Sequence, residues 1–330
     1  AFAFLQNKKV VAVSAVGTVF GLTMMLKDYM QGGKFKNPVM AEDKVVIITG
    51  ANTGIGKEAA KELAKRKAHV YMVCRDMEKC EKARTEIVLE SKNRYVYCRE
   101  CDLSSMESIR KFVENFKQER DRLDILINNA GVMRCPRTLT KEGIEMQLGV
   151  NHMGHFLLTN LLLDTLKASA PSRIVVVSSL AHTRGEINIT DLNSEKSYDP
   201  GTAYKQSKLA NVLFTRELAK KIQGSGVTVN ALHPGVVDTE LMRHMSLFKS
   251  FFSGLIVKPL LWPFFKNPVS GAQTTLYCAL EPELQDVSGQ YFSDCAPKEC
   301  ADAAKNENIA KWLWAVSEKW TGLEQKQSNV

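Results

Sequence analysis

Three features are scarce in this sequence: clustered arginines, paired cysteines and long apolar runs. Lysine and arginine are scattered along the 330 residues, and the lack of an arginine-rich arm argues against a nucleic-acid-binding protein. The net charge of +8 and the pI near 9.0 instead suit a phosphate-bearing ligand or an anionic membrane surface. With 45% hydrophobic and 24% charged residues, the composition is that of a globular protein with a large core.

The eight cysteines are irregularly spaced, which in a chain of this length argues against a disulfide framework. Cys98 and Cys101 have the spacing of a redox pair or of half a zinc site, but no second close pair follows. Residues 95–97, directly before them, have the composition of a strand. We therefore predict no metal site.

The one long apolar run covers residues 10–26, seventeen residues without a charge between flanking lysines. At ~1.5 Å per residue it reaches about 26 Å, the short end of a membrane-spanning helix. A signal peptide and a buried helix are the alternatives, although no small-x-small cleavage site is evident. We predict a membrane anchor in residues 1–30 and a linker in residues 31–43.

A glycine-rich turn follows the first predicted strand, residues 44–48, and leads into a helical pattern. Gly50 permits a tight turn, Gly54 lets the backbone approach a pyrophosphate, and Gly56 allows close contact between helix and strand. The helix N-terminus would then face the phosphates with free N–H groups. The turn residues predicted to bind a dinucleotide are Gly50, Asn52, Thr53, Gly54, Ile55 and Gly56.

The second strand, His69–Cys74, ends beside a cation and not beside an acid. A carboxylate at this place would bind free ribose hydroxyls, whereas Arg75 suits a 2′-phosphate, to which Lys57 adds charge. We therefore predict NADP(H) in preference to NAD(H). The alternative is that Arg75 is surface charge next to Asp76 and Lys79.

Two further strands, residues 95–101 and 123–127, end in polar or small residues, and a helix is predicted for residues 142–163. Small and amide residues at the carboxyl end of a strand suit a ligand crevice, and the first of these ends is placed to meet the adenine. The residues assigned to the crevice from these ends are Asp102, Leu103, Asn129, Ala130 and Gly131.

Tyr204 and Lys208 are four residues apart in a helical pattern, so both side chains lie on one face. The ammonium favours the phenolate and should lower a phenol pKa that starts near ~10, which makes Tyr204 a candidate proton donor and acceptor. Ser179 ends the apolar run at residues 174–177. A solvated helix face is the alternative interpretation of the pair.

Strongly apolar segments follow Tyr204 and Lys208 later in the chain, at residues 247–257 and 259–265. They predict a lid around residues 240–270 for a hydrophobic substrate, with a surface that can insert into a bilayer, and helices packed on the sheet are the alternative. In the tail, Trp314 falls off the apolar face of a predicted helix and is a candidate for contact with a membrane or a partner.

The motifs Thr-Gly-x-x-x-Gly-x-Gly, Asn-Asn-Ala-Gly, a helical Asn, a Ser, Tyr-x-x-x-Lys and His-Pro-Gly occur in this order. The order resembles the short-chain dehydrogenase/reductase superfamily from residue 44 to about 295. Residues 49–57, 74–80 and 178–182 resemble its retinol dehydrogenase 11 to 14 group. The resemblance implies one doubly wound (Rossmann) α/β domain with a parallel sheet, covering residues 44–330.

It also implies the roles of the site residues. Tyr204 exchanges a proton with the substrate oxygen, Ser179 hydrogen-bonds that oxygen, Lys208 binds the nicotinamide ribose, and Asn151 holds a water that joins Lys208 to solvent. The residues that match the nicotinamide end of the cofactor site are Pro234, Gly235 and Thr239.

The activity implied by the resemblance is NADP(H)-dependent interconversion of retinal and retinol, with reduction favoured. A reductase of other lipid aldehydes or ketones is one alternative, and a nucleotide-sensing protein without turnover is another. The implied location is a membrane, with the mitochondrial inner membrane favoured over the endoplasmic reticulum.

Overall fold

The computed structural model describes residues 8–241 and 261–324, and strands and helices alternate through most of this part of the chain. The strands are β1 Val45–Thr49, β2 His69–Cys74, β3 Val96–Glu100, β4 Ile125–Asn128, β5 Ser172–Val177, β6 Val227–His233, β7 Tyr291–Ser293 and β8 Ala296–Pro297. The helices are α1 Lys8–Met30, α2 Gly54–Lys65, α3 Met77–Ser91, α4 Met106–Glu119, α5 Met146–Leu148, α6 Gly154–Ala168, α7 Pro200–Lys221, α8 Pro268–Leu280 and α9 Glu307–Thr321.

The strands form one sheet in the order β3-β2-β1-β4-β5-β6-β7-β8, parallel except for the final β7–β8 hairpin. The parallel strands are buried on both faces, and apolar clusters cover the two sides of the sheet. This confirms the doubly wound α/β fold. The strand order reverses between β1 and β4, where such sheets open a ligand crevice at the carboxyl ends of the strands.

The helix that carries Asn151 begins later than predicted and is not regular. Glu145 accepts hydrogen bonds from the N–H groups of Gln147 and Leu148, so this cap starts α5 at Met146. A π-helical turn, Gly149–Met153, then joins α5 to α6. The predicted range of 142–163 is therefore wrong at both ends.

Trp314 lies in the core, so the expectation of a membrane or partner contact is wrong. It is 7% exposed, and its ring centroid lies 4.8 Å from that of Phe156 and 5.9 Å from that of Phe214. Two helices, α6 and α7, pack against α9, so the buried side of α9 is wider than a single apolar stripe indicates.

The structure contains a disulfide between Cys80 in α3 and Cys98 in β3. Cys98 is therefore not paired with Cys101, which is a buried free thiol. The irregular cysteine spacing concealed this bond, because its two halves meet only when α3 packs on the sheet.

Helix α1 ends against the segment that precedes α8. Lys27 Nζ donates a hydrogen bond to the carbonyl oxygen of Trp262 at 2.9 Å, and Gln31 Nε2 donates to that of Phe265 at 3.3 Å. Within residues 8–241 and 261–324, no helix is long and apolar enough to span a bilayer. The anchor stays a prediction, and most of the predicted lid, residues 242–260, lies outside the described residues.

Gly33 provides a test of the contact between the linker and the sheet. A Cβ at Gly33 would lie 2.0 Å from the carbonyl oxygen of Asp294, whereas one at Gly21, in α1, would meet nothing within 4 Å. We expect Gly33→Ala to lower the free energy of unfolding by about 1–3 kcal/mol, because backbone has to move. Gly21→Ala should leave it unchanged or higher, since alanine favours helix. Equal urea midpoints for the two variants would contradict the described contact.

Candidate active site

The turn between β1 and α2 is built from glycines that have no room for a side chain. Gly50 has a φ of +65°, and a Cβ there would lie 2.9 Å from Cα of Ala130. Gly54 has a φ of +56° and would place a Cβ 3.0 Å from Cγ2 of Thr239. At Gly56 the added atom would lie 2.4 Å from the carbonyl oxygen of Gly50. Each glycine therefore lets a neighbouring segment of the chain come closer than a residue with a side chain would allow.

Thr49 ties the end of β4 to this turn. Its hydroxyl accepts hydrogen bonds from the N–H groups of Asn129 and Ala130, both at 2.9 Å, and Asn129 Nδ2 donates to the Thr49 carbonyl oxygen at 2.8 Å. A Cβ on the next residue, Gly131, would lie 3.2 Å from Oδ1 of Asn151. Three predicted cofactor residues therefore line one narrow part of the crevice.

The residues predicted for the adenosine end lie after β2 and β3. Arg75 is exposed and forms no hydrogen bond or ion pair with the described residues, whereas Lys57 pairs with Glu86. Lys57 is therefore less available for a phosphate than the sequence indicated. Asp102 uses Oδ1 to accept hydrogen bonds from the N–H and hydroxyl of Ser104, at 2.9 and 2.7 Å.

The other predicted cofactor residues lie at the same edge of the sheet. Gly235 has a φ of +86°, which a residue with a side chain rarely adopts. The predicted residues found in the glycine turn or directly after β3 and β6 are Asn52, Thr53, Ile55, Leu103, Pro234 and Gly235.

Asn151 is fully buried in the π-helical turn Gly149–Met153. Its Nδ2 donates to the carbonyl oxygen of Val132 at 3.0 Å and to Oγ of Ser207 at 2.9 Å, and its Oδ1 accepts from the N–H of Val132 at 2.8 Å. The side chain therefore ties the loop after β4 to α7. Because both amide hydrogens are used, a water for Lys208 can bind only to an oxygen of this residue.

Tyr204 and Ser179 lie close together in the crevice, and the serine hydroxyl favours the phenolate form of Tyr204 and so acts to lower its pKa. Ser179 also accepts a hydrogen bond from the N–H of Ala181 at 3.1 Å. Ser178 is buried and donates its hydroxyl to the carbonyl oxygen of Lys208 at 2.7 Å. Of the two serines, Ser179 is the one that lies at the phenol.

Lys208 lies one helical turn after Tyr204 and is 3% exposed. Its Nζ donates to the carbonyl oxygen of Val177 at 3.1 Å and lies 5.8 Å from the centroid of the Tyr204 ring. Burial lowers the pKa of Lys208 to about 8, and no carboxylate among the described residues opposes this effect. The ammonium beside the phenol therefore loses its proton at a pH only slightly above neutral.

Burial raises the pKa of Tyr204 to about 12, and the nearby Ser179 hydroxyl opposes only part of the rise. The expectation that Lys208 lowers this pKa is therefore wrong for the protein alone, because desolvation of the phenolate outweighs the neighbouring cation. The phenol keeps its proton at neutral pH and is suited to donate it.

His155, which the sequence marked only as a neighbour of Asn151, links two parts of the crevice. Its Nε2 lies 2.9 Å from Oγ1 of Thr49 and its Nδ1 lies 3.0 Å from the carbonyl oxygen of Asn151. The Thr49 hydroxyl already accepts two N–H groups, so it donates to Nε2, and Nδ1–H donates to Asn151. Burial lowers the pKa of His155 to about 4, which keeps the ring neutral. The four-residue spacing from Asn151 was the signal that could have identified it.

The model of the short chain dehydrogenase family matches residues 44–249. Human retinol dehydrogenase 13 is 53% identical over 97% of this chain and 97% of its own length, and human retinol dehydrogenase 12 is 53% identical over 90% and 92%. Residues 26–29, 131–136 and 230–236 resemble the first of these relatives in particular.

Solved structures share the fold. An uncharacterized protein from Mycobacterium paratuberculosis is 36% identical, with a TM-score of 0.71 over 88% of this chain and 98% of that chain. RhlG from Pseudomonas aeruginosa in complex with NADP is 24% identical, with a TM-score of 0.62 over 78% of this chain and 97% of that chain. The likeness to RhlG supports the fold alone.

The buried ammonium predicts a pH-dependent effect of Lys208→Met on stability. The pKa of Lys208 falls from 10.5 to about 8 on folding, so below pH 8 the folded protein holds a charge that the unfolded chain solvates better. Removing this charge should raise the free energy of unfolding at pH 7, by up to about 3 kcal/mol. The advantage should shrink as the pH rises from 8 to 10.5, where unfolded Lys208 also loses its proton.

Urea unfolding of both proteins at several pH values measures this difference. Lys205→Met, on the same helix but partly exposed, serves as the control and should show no such pH dependence. A Lys208→Met advantage that is absent, or constant from pH 7 to 10.5, would contradict the assignment of a buried charge.

Proposed function

The chain belongs to the short-chain dehydrogenase family and is an oxidoreductase of that class, and we propose that it interconverts retinal and retinol with NADP(H), mainly as a reductase. The observation that carries the proposal is the buried, protonated Tyr204 phenol beside Ser179 and Lys208 at the mouth of the crevice. A proton donor that lies beside a serine hydroxyl and near an ammonium suits carbonyl reduction.

A pyridine dinucleotide fits the residues that line the crevice. Gly50, Gly54 and Gly56 leave the backbone without side chains where a pyrophosphate would approach the N-terminus of α2. Asn129, Ala130 and Gly131 follow β4 on the other side of the same crevice. When bound, the nicotinamide supplies or accepts the hydride.

The side chains of the protein handle the proton and the orientation of the substrate. Tyr204 donates its proton to the carbonyl oxygen of the substrate as that oxygen gains negative charge, and the Ser179 hydroxyl hydrogen-bonds the same oxygen. The Lys208 ammonium stabilises the phenolate that is left and binds ribose hydroxyls. Asn151 holds the loop after β4 against α7, which keeps these groups in place.

Arg75 supports the choice of NADP(H). It follows β2, has no partner among the described residues and is exposed at the end of the crevice where no carboxylate stands. A free guanidinium binds a phosphate in a bidentate manner.

The retinoid substrate is supported by similarity, and the membrane location is proposed from the apolar run at residues 10–26. The relatives named retinol dehydrogenase cover nearly the whole chain, and apolar sequence follows the cofactor residues. A membrane anchor in residues 1–30 would bring the crevice to a hydrophobic substrate dissolved in a bilayer. The sequence resemblance favours the mitochondrial inner membrane, with the endoplasmic reticulum as the alternative.

A panel of retinoid and lipid aldehydes assayed with NADPH tests the substrate class.

Tyr204→Phe tests the proton donor. Because the phenol hydroxyl is removed and the ring stays, NADPH binding should remain while kcat for aldehyde reduction falls by about 1000-fold or more. Binding is followed by the quenching of protein fluorescence and turnover by the absorbance of NADPH. Turnover equal to that of the wild type would refute the assigned chemistry.

Arg75→Ala tests the cofactor preference. Loss of the guanidinium should raise KM for NADPH by about tenfold or more and leave KM for NADH nearly unchanged, because only NADPH carries the 2′-phosphate. Lys79→Ala is a matched control, since Lys79 is an exposed cation that already lies 4.0 Å from Asp76 and 3.9 Å from Glu240. An equal rise for both nucleotides would remove the 2′-phosphate argument.

A further inference from the structure

A line of polar side chains, buried except for the exposed carboxylate at its far end, leads away from the Ser179 turn and has no part in the chemistry described above. His182 is fully buried, and its Nδ1 lies 2.8 Å from the carbonyl oxygen of Ser179 and 3.3 Å from the hydroxyl of Tyr291. The same hydroxyl lies 2.8 Å from Nδ1 of His233. Two long-range contacts, His182 to Tyr291 and Tyr291 to His233, thus connect the turn after β5 with β6 and β7.

The line continues to the loop that follows β6. Nε2 of His233 lies 3.1 Å from Oγ of Ser293, and that hydroxyl donates to Oδ2 of Asp294 at 2.7 Å. The other oxygen of Asp294 accepts a hydrogen bond from Nζ of Lys266. The stem of Lys266 packs against Gly235, where a Cβ would lie 2.8 Å from Cε. We call His182, Tyr291, His233, Ser293 and Asp294 the polar chain.

The backbone fixes the direction of the hydrogen bonds at the Ser179 end. The N–H of Ala301 donates to Nε2 of His182 at 3.2 Å, so the ring proton of a neutral His182 is on Nδ1 and points to Ser179 and Tyr291. The Tyr291 hydroxyl accepts from His182 and therefore donates to Nδ1 of His233. Burial lowers the pKa values of His182 and His233, which keeps both rings neutral.

The same direction holds at the other end. His233 carries its proton on Nε2 and donates to Ser293, which donates to the Asp294 carboxylate. Asp294 and Cys295 form the β7–β8 turn with φ values of +53° and +57°. Left-handed backbone is unfavourable for both residues and persists where surrounding contacts over-determine it. The Nδ1–H of His182 is thus shared between the Ser179 carbonyl oxygen and Tyr291, and the hydrogens of Tyr291, His233 and Ser293 all point toward the Asp294 carboxylate.

We propose that the polar chain is a positioning device that fixes Ser179 relative to Pro234 and Gly235, the loop assigned to the nicotinamide end. None of its members is among the residues assigned above to the substrate or the nucleotide, and they act through the Ser179 carbonyl at one end and Lys266 at the other. The proposal rests on the proposed function to the extent that Ser179 and Tyr204 handle the substrate oxygen. A small displacement of such a group lowers the rate far more than it lowers binding.

The tautomers of the two histidines test the polar chain without any turnover. Long-range ¹H–¹⁵N spectra of the full-length protein labelled with ¹⁵N-histidine distinguish the two neutral tautomers, and the sequence has six histidines. His182 should carry its proton on Nδ1 and His233 on Nε2 at pH 7, with His182→Asn and His233→Asn used for assignment. The opposite tautomer at either residue would overturn the proposal, whether or not retinal is a substrate.

Tyr291→Phe interrupts the polar chain and keeps the ring packing. We expect kcat to fall by about tenfold, with KM for NADPH and the thermal midpoint close to those of the wild type. The assay uses whichever aldehyde of the panel the wild type reduces fastest. Tyr277→Phe is the matched control. Tyr277, in α8, packs on Phe292, which is the residue after Tyr291 in β7, but it lies outside the polar chain. A kcat for Tyr291→Phe within twofold of the wild type would overturn the proposal.

Two substitutions of His182 separate positioning from stability. The amide of Asn can replace the Nδ1–H donor toward Ser179, whereas that of Gln reaches the position of Nε2 and can replace only the acceptor for Ala301. We expect His182→Asn to keep several-fold more kcat than His182→Gln at similar thermal midpoints. Equal kcat values, or kcat values that follow the midpoints, would show a purely structural role and sink the proposal.

Discussion

The site depends on a buried ammonium that has no carboxylate partner among the described residues. Lys208 donates a hydrogen bond to the carbonyl oxygen of Val177 and lies against the ring of Tyr204. Burial lowers the pKa of the ammonium and raises the pKa of the phenol, so it favours the uncharged form of each group. Tyr204 is therefore ready to supply a proton, and Lys208 is ready to stabilise the phenolate that results. The arrangement costs stability, which is the usual relation between folding and an active site.

Tyr204 and Lys208 are positioned by the close approach of backbone segments. The glycines after β1 and the small residues after β4 let the two strand ends meet, and Thr49 locks them together. His155 then connects Thr49 to the carbonyl oxygen of Asn151, whose side chain reaches α7 through Ser207. One hydrogen-bonded network therefore joins the nucleotide turn to the helix of Tyr204.

The segment before α8 connects this site to the N-terminal part of the chain. Lys266 pairs with Val237 in a parallel bridge and contacts Gly235, while the preceding Phe265 carbonyl accepts hydrogen bonds from the end of α1. The β7–β8 turn meets the same segment through Asp294, against which Gly33 packs. The loop after β6 is therefore supported by two parts of the chain that are remote in sequence.

The sequence alone determined the glycine turn and the shared helix face of Tyr204 and Lys208, because periodicity and short motifs encode local structure, and its resemblance to a known superfamily implied the doubly wound sheet. Only the tertiary structure decided that burial raises the pKa of Tyr204, that Trp314 is in the core and that Cys80 bonds to Cys98. The same is true of the polar chain, in which β6, β7 and the turn after β5 each contribute a side chain. The physical reason is that desolvation and these contacts are sums over residues far apart in the chain, which no local pattern records.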